Sequence, residues 1–129
     1  MEQNLENTVT EITEKQDVGT VKIADDVVAL IAAFAAVEVE GVHSLAGGIT
    51  LDILNKGGTK KLGKGVRVDV TENSVNTQVS VILDFGYNIP VTSSNIQKRV
   101  KSSLESMTGL TVTDVNVRIV GVEMPKEEE

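Results

Sequence analysis

Two alternating runs of apolar and polar residues, separated by a turn, constrain the fold of this chain more than any other feature. The first run places valine at every second position of 66–70, and the second places apolar residues at every second position of 79–85. Because successive side chains of a strand point to opposite faces, each run predicts a strand with one buried face. Glu72–Ser74 supplies turn residues between them, so the two strands are predicted to form a hairpin.

Apolar residues at helical spacing predict one helix before the hairpin and one after it. The first helix begins near Ala24, where two aspartates suit the positive end of the helix dipole, and stops at Gly41. Thr92, Ser93 or Ser94 caps the second helix, which stops at Gly109. Each helix has a stripe of large residues that we expect to face the core: Val27, Leu30, Ile31, Phe34 and Val37 in the first, and Ile96, Val100, Leu104 and Met107 in the second.

A last alternating run near 112–121 predicts a strand after the second helix. The order strand, strand, helix, strand requires a right-handed crossover, which places that helix on one face of the sheet. We therefore predict an α+β fold, a two-layer α/β sandwich whose small mixed β-sheet carries both main helices on one face. A short first strand over Val18–Ile23 and one short element between Ile49 and Leu54 complete the expected fold.

Charge is concentrated at the two ends of the chain. The net charge is −7, and the ends hold nine of the nineteen acidic residues but only two of the twelve basic ones. Residues 1–16 lack apolar periodicity and are predicted to be a disordered acidic tail, 17–122 a single domain, and 123–129 a second acidic tail. Because the predicted domain is close to neutral, the overall acidity does not exclude a phosphate or nucleic-acid partner.

The sequence contains no cluster of residues suited to catalysis. Without cysteine there are no disulfides and no thiolate sites, and the single histidine, His43, fits the end of a helix better than a catalytic base. We predict no catalytic, cofactor-binding or metal-binding residues and no enzymatic activity. The longest apolar run, Val27–Val37, is too short for the roughly 20 residues that cross a bilayer, so no direct membrane insertion is expected.

Five of the twelve basic residues lie within residues 56–67, in and next to the glycine-rich segment that precedes the hairpin. Gly58–Gly65 resembles a phosphate-binding loop, but Gly65 stands where Ser or Thr is needed, and a strand rather than a helix follows. The basic residues of this region permit two interpretations, a solvated loop or a patch that contacts nucleic acid, anionic lipid or an acidic protein segment. They are Lys56, Lys60, Lys61, Lys64 and Arg67.

The side of the first helix opposite its large stripe consists of small residues. Alanine is the best helix former, so this side could simply face water. Small side chains also let a second helix approach closely, and an uncharged helix surface is uncommon in water, so the side is also a candidate partner interface. Its residues are Val28, Ala29, Ala32, Ala33 and Ala36.

Three stretches carry a resemblance to a known family: Ile23–Val42, Lys64–Val68 and, most specifically, Phe85–Pro90 with the helix and strand that follow. Together they resemble the alkaline-shock-protein family of Gram-positive bacteria over residues 18–122. The resemblance implies a cytoplasmic, non-enzymatic protein of the envelope stress response. It also implies self-association or docking beneath the membrane on a membrane-anchored partner, and it transfers no catalytic residue.

The predicted function is therefore that of an interaction protein that contacts itself or a membrane-anchored protein and needs no cofactor. The alternative is a small RNA-binding module that uses the basic glycine-rich loop, as KH-type domains use a loop between two helices. In this chain the glycine-rich loop leads into a strand, which counts against that alternative.

Overall fold

The computed structural model describes residue 19 and residues 21–57 and 65–125. It confirms the predicted α+β fold with its hairpin, two main helices and final strand. The elements are α1 (Asp25–Val37), β1 (Val42–Leu45), α2 (Leu51–Asn55), β2 (Val66–Val70), β3 (Ser74–Asp84), α3 (Ile89–Thr108) and β4 (Thr111–Glu123).

The long strand β3 is the centre of a mixed sheet. Along one side it pairs antiparallel with β2 through its first half and with β1 through its second half. Along the other side it pairs with β4, in parallel, over its whole length, as a crossover through α3 requires. The strands β1 and β2 therefore lie end to end along one edge of β3. At the seam between them, a Cβ atom on Gly65 would lie 2.7 Å from the Cβ of Leu45.

Both main helices share one hydrophobic core with one face of the sheet. Alternate residues of β3 are buried in that core: Val75, Thr77, Val79, Val81 and Leu83. From α3, Ile96, Val100 and Leu104 are fully buried, as predicted, whereas Met107 is exposed, contrary to the prediction. The other face of the sheet is mainly polar, as the alternation of the strands predicts.

The first helix faces the core with its small side, which corrects two predictions. Val28, Ala32, Ala33 and Ala36 are fully buried and Ala29 is half-buried. Of the predicted stripe, Val37 is buried as predicted, whereas Val27 is exposed and Leu30, Ile31 and Phe34 are only half-buried. The reason is the packing of α1 against both α3 and the sheet, because small side chains let the helix approach its neighbours closely. The chain's own core therefore occupies the predicted partner interface, and the expectation of an exposed alanine face was wrong.

The structure also corrects the region before the hairpin. Residues 21–24 form no strand and Val21 is exposed, while Val18 lies outside the described residues. The helix α1 ends at Val37, before Gly41, which has a positive φ in the turn to β1. The strand β1 was not predicted, because its sequence VHSL does not alternate between apolar and polar residues.

The start of α3 differs from the prediction. Asn88 is the N-cap, and its side chain accepts a hydrogen bond of 2.9 Å from the backbone N–H of Val91. Pro90 lies in the first turn, where its missing N–H costs nothing. Thr92, a predicted cap, is buried inside the helix. Gly109 ends the helix in the left-handed conformation, as predicted.

The predicted tails lie mostly beyond the described residues. The N-terminal tail, 1–16, and residues 126–129 of the C-terminal tail fall outside the described part of the chain. The strand β4 continues to Glu123, one residue into the predicted C-terminal tail.

A charge on the small side of α1 should unfold the protein. Ala32→Glu would bury an unpaired carboxylate at a fully buried position, at a cost of several kcal/mol. That is a large part of the roughly 5–15 kcal/mol by which native domains are stable. We expect loss of the cooperative denaturant transition measured by circular dichroism. Val27→Glu, at an exposed position of the same helix, is the control and should keep the transition; equal transitions would contradict the packing of α1.

Candidate functional site

The connection from β3 to α3 exposes apolar side chains. Phe85, Tyr87, Ile89 and Val91 occupy alternate positions of one short stretch, and each is between 42% and 59% exposed. The chain leaves the sheet after Asp84, and Gly86 has a positive φ, so neither the sheet nor the buried stripe of α3 covers these residues. Met124, after the end of β4, is also exposed. We call Phe85, Tyr87, Ile89, Val91 and Met124 the end patch.

Two backbone contacts fix the position of the end patch. The backbone N–H of Phe85 donates a 2.9 Å hydrogen bond to the carbonyl oxygen of Glu123, which holds the connection beside the end of β4. The ring of Tyr87 lies against Gly41, where a Cβ atom would approach ring carbon Cδ2 to 2.8 Å. Glycine at position 41 is thus required twice, by this contact and by its φ of 100°. The connection is therefore joined to the turn between α1 and β1.

An acidic group of that turn acts on the tyrosine. The hydroxyl of Tyr87 donates a 3.3 Å hydrogen bond to Oε2 of Glu40. The negative charge of Glu40 raises the pKa of Tyr87 above its ordinary value of 10.0, with smaller contributions from desolvation, this hydrogen bond and the charge of Asp84. The phenol therefore stays neutral and remains a hydrogen-bond donor.

The histidine lies in β1 rather than at the end of a helix, where it was predicted. The register of β1 against β3 shifts between Val42 and Ser44, so His43 is the extra residue of a bulge. Its Nδ1 lies 3.0 Å from Oδ1 of Asp84. These two residues line an open depression of about 300 Å³ together with Phe85, Glu123, Met124 and Pro125.

The depression does not bring together the groups that metal binding requires. Within residues 21–57 and 65–125, no group of three His, Asp, Glu or Cys side chains is placed to hold a metal ion. The pair of His43 and Asp84 is exposed, and an exposed ion pair contributes little to stability.

Acidic side chains surround much of the end patch. Glu40 bonds Tyr87, and Asp84 and Glu123 line the depression beside Phe85. Glu38 lies in the same turn and accepts a 3.4 Å hydrogen bond from Arg99 of α3. The site is thus an apolar and aromatic surface with an acidic border at Glu40, Asp84 and Glu123. Lys98 and Arg99 of α3 interrupt this border, because they line a depression together with Glu40.

The basic residues predicted as a site are only partly described. Lys56, which follows α2, and Arg67, on the polar face of β2, are both exposed. Lys60, Lys61 and Lys64 lie outside the described residues, so the basic patch stays a prediction. The end patch was missed because Phe85 was assigned to the core as the last apolar residue of the alternating strand. Apolar residues continue at Tyr87, Ile89 and Val91, past the end of β3 and into the first turn of α3, and apolar residues beyond the end of a strand could have indicated exposed side chains.

Fold and site together define a small α+β domain that exposes apolar and aromatic side chains between β3 and α3. Residues 13–124 match the family model of the alkaline shock proteins, described as having a cell envelope-related function. The chain belongs to this alkaline-shock-protein family, which confirms the predicted resemblance. In the part of the chain that the structure describes, no helix combines the length and apolar character of a membrane span.

Similar proteins come from Gram-positive bacteria. The uncharacterized protein YqhY of Bacillus subtilis is 33% identical over 85% of this chain and 82% of its own length. The uncharacterized protein Spy1535 of Streptococcus pyogenes is 37% identical over 81% of this chain and 80% of its own length. A stress response regulator gls24 homolog of Streptococcus pyogenes is 25% identical over 86% of this chain and 63% of its own length. The protein is thus related to stress-response and cell-envelope proteins.

The ionisation of Tyr87 can be tested directly because it is the only tyrosine of the chain, which has no tryptophan. We expect near-ultraviolet absorbance to give a tyrosine pKa above 10.0, and Glu40→Gln to lower it towards that value. The pKa of Tyr87 is higher in the folded than in the unfolded protein, so its neutral phenol stabilises the folded state. This stabilisation is complete below pH 10.0 and is lost as the pH rises through the folded pKa. Glu105→Gln, on α3, is the control; an unchanged pKa in Glu40→Gln would contradict the contact.

Proposed function

We propose that this protein is a non-enzymatic interaction protein of the envelope stress response. It works at the cytoplasmic face of the membrane, where the end patch docks on a membrane-anchored protein, and it also associates with itself. The first contact would place the protein at the membrane. The second would allow many copies to gather at one site.

The observation that carries this proposal is the exposure of apolar side chains in the segment with the most specific family resemblance. Each apolar Å² that a partner covers contributes about 25 cal/mol, so a protein that only had to fold would gain by burying these residues. Phe85 and Tyr87 are large and have few rotatable bonds, and aromatic side chains of this kind dominate the affinity of interfaces. The backbone contacts of Phe85 and Gly41 hold them in place before a partner arrives.

The acidic border favours one kind of partner. The cytoplasmic segments next to membrane spans are enriched in Lys and Arg. Such a segment, with apolar residues between its basic ones, would complement both the end patch and Glu40, Asp84 and Glu123. Direct binding of the end patch to lipid is disfavoured, because the inner leaflet is negatively charged and Glu40, Asp84 and Glu123 lie beside the patch.

Docking should therefore depend on Phe85. Binding can be measured by co-sedimentation with inverted membrane vesicles from the bacterium that naturally makes this protein. We expect Phe85→Ser to lower the affinity for these vesicles by at least about tenfold, as loss of an aromatic hot spot does. The control is Met107→Ser, because Met107 is 68% exposed on the same helix as Val91. It lies about 25 Å away along that helix and should bind like the wild type. Both variants should keep the wild-type melting temperature, since both residues are exposed.

Two further samples identify what the protein binds. Protease treatment of the vesicles should remove binding, and vesicles of purified anionic lipid should not bind. Equal binding of Phe85→Ser and wild type would contradict docking through the end patch. If the protein binds vesicles of pure lipid as strongly as it binds cell membranes, the docking target is lipid and not a protein.

The RNA-binding alternative gains one argument from the structure. Phe85 and Tyr87 are exposed, and exposed aromatic rings can stack on unpaired bases. The acidic groups around them would repel the phosphates of the same strand, so the interaction proposal is better supported.

RNA binding makes its own prediction. If the loop contacts phosphates, binding of single-stranded RNA should fall steeply with salt, because each contact releases a counterion. Replacing Lys60, Lys61 and Lys64 by glutamine should then abolish binding measured by fluorescence anisotropy, with Lys98→Gln on α3 as the control. A wild-type protein that binds no RNA at low salt would eliminate the alternative.

A further inference from the structure

The strand β4 forms a complete free edge of the sheet. It is 13 residues long, and among the described strands only β3 pairs with it. Proteins commonly protect such an edge from pairing with another chain by charged side chains, above all lysine, by proline, by β-bulges or by a very short strand. Between Thr111 and Glu123 there is neither lysine nor proline, and the strand is long. The edge is therefore open to pairing with another strand only between its bulges, where its charged residues must be matched.

The shape of β4 limits where a second strand can pair. The register against β3 shifts at two places, which makes Thr113 and Val120 bulge residues. Between these bulges, residues 114–119 pair with 76–81 without interruption. Two copies of β4 related by a two-fold axis would pair antiparallel around one central residue. Only a pairing centred on Asn116 or on Val117 keeps five residues of each copy within the regular segment.

Charge distinguishes the two registers. Asp114 and Arg118 lie on the polar face of β4, opposite Asn76 and Ser80 of β3. Among the described residues neither Asp114 nor Arg118 takes part in an ion pair. Centring on Asn116 places Asp114 of each copy opposite Arg118 of the other, twice in the dimer. Centring on Val117 places Arg118 opposite Asn116 instead, so opposite charges select the first register.

On the face of β4 that points to the core, the same pairing would cover residues that are only half-buried in a single copy. Val115, Val117 and Ile119 lie beside the fully buried core residues of β3 but are themselves only half-buried. In the register centred on Asn116, Val115 of each copy lies opposite Val117 of the other, and each pair would cover apolar surface. The carbonyl of Val115 already accepts a 3.0 Å hydrogen bond from Gln97, but a carbonyl oxygen can accept two.

We propose that two copies of this chain pair through their β4 edges, antiparallel and centred on Asn116, to form one continuous sheet. Both helix layers then lie on the same side of that sheet, and both polar faces lie on the other side. The inference rests on the self-association part of the proposed function and assigns it to a surface separate from Phe85 and Tyr87 of the end patch.

Exchange of the two charges tests the register. Asp114→Arg and Arg118→Asp each place like charges opposite one another twice, so each variant alone should dimerise roughly ten- to a hundredfold more weakly than wild type. An equimolar mixture of the two variants pairs opposite charges again and should recover dimers. Sedimentation equilibrium measures all three samples. Lys98→Glu, a charge reversal on α3, is the control and should dimerise like the wild type.

A single introduced cysteine tests the centre of the pairing, because the chain has no cysteine of its own. In the variant Asn116→Cys, the thiols of the two copies would lie opposite each other, at a distance that a disulfide can bridge. Mild oxidation should therefore give a covalent dimer. Asn76→Cys, on the polar face of β3, is the control and should stay monomeric at the same protein concentration. Efficient cross-linking of Val117→Cys but not of Asn116→Cys would overturn the proposed register.

The outcomes separate this inference from the proposed function. A wild-type dimer that is unaffected by either charge variant would overturn the β4 interface but leave self-association standing. A wild-type chain that stays monomeric at every concentration would overturn both the interface and self-association. Neither result affects the docking of the end patch, which vesicle binding measures independently.

Discussion

The close packing of α1 against α3 is the contact on which the rest of the structure depends. Four fully buried small residues of α1 let the two helices lie together over one face of a narrow sheet. A bulkier side on α1 would separate the helices and uncover the buried residues of β3. The same packing turns Leu30, Ile31 and Phe34 towards the border of the core, where they are only half-buried. The helix α1 thus turns its small side chains to the core and most of its large ones to the border. An amphipathic helix usually does the reverse.

That reversal marks the limit of what the sequence could predict. Periodicity was sufficient for the hairpin, for α3 with its buried Ile96, Val100 and Leu104, and for the parallel pairing that a crossover requires. It could not decide which side of α1 faces inward, because both sides are apolar and the choice depends on the distance to a neighbouring helix. The strand β1 was missed for a similar reason, since only its pairing with β3 holds the sequence VHSL in a strand.

The candidate site was predictable to a smaller degree. The segment Phe85–Pro90 carries the most specific part of the family resemblance, yet the exposure of Phe85 depends on where β3 ends and on the hydrogen bond to Glu123. The contact of Tyr87 with Gly41 joins residues far apart in the chain, and no local pattern indicates it. The interaction surfaces of such a protein follow from tertiary structure more than from motifs, because apolar contact does not require a fixed set of residue types.

The seam between β1 and β2 has a consequence for nucleotide binding. Gly65 stands where a phosphate-binding loop would have the Ser or Thr that holds magnesium. A side chain at this position would place its Cβ 2.7 Å from the Cβ of Leu45, so the seam between β1 and β2 would have to shift to admit it. A hydroxyl-bearing residue at position 65 would therefore strain the edge of this sheet. The close approach of β1 and β2 along β3 thus favours glycine at the very position where a phosphate-binding loop has its magnesium ligand.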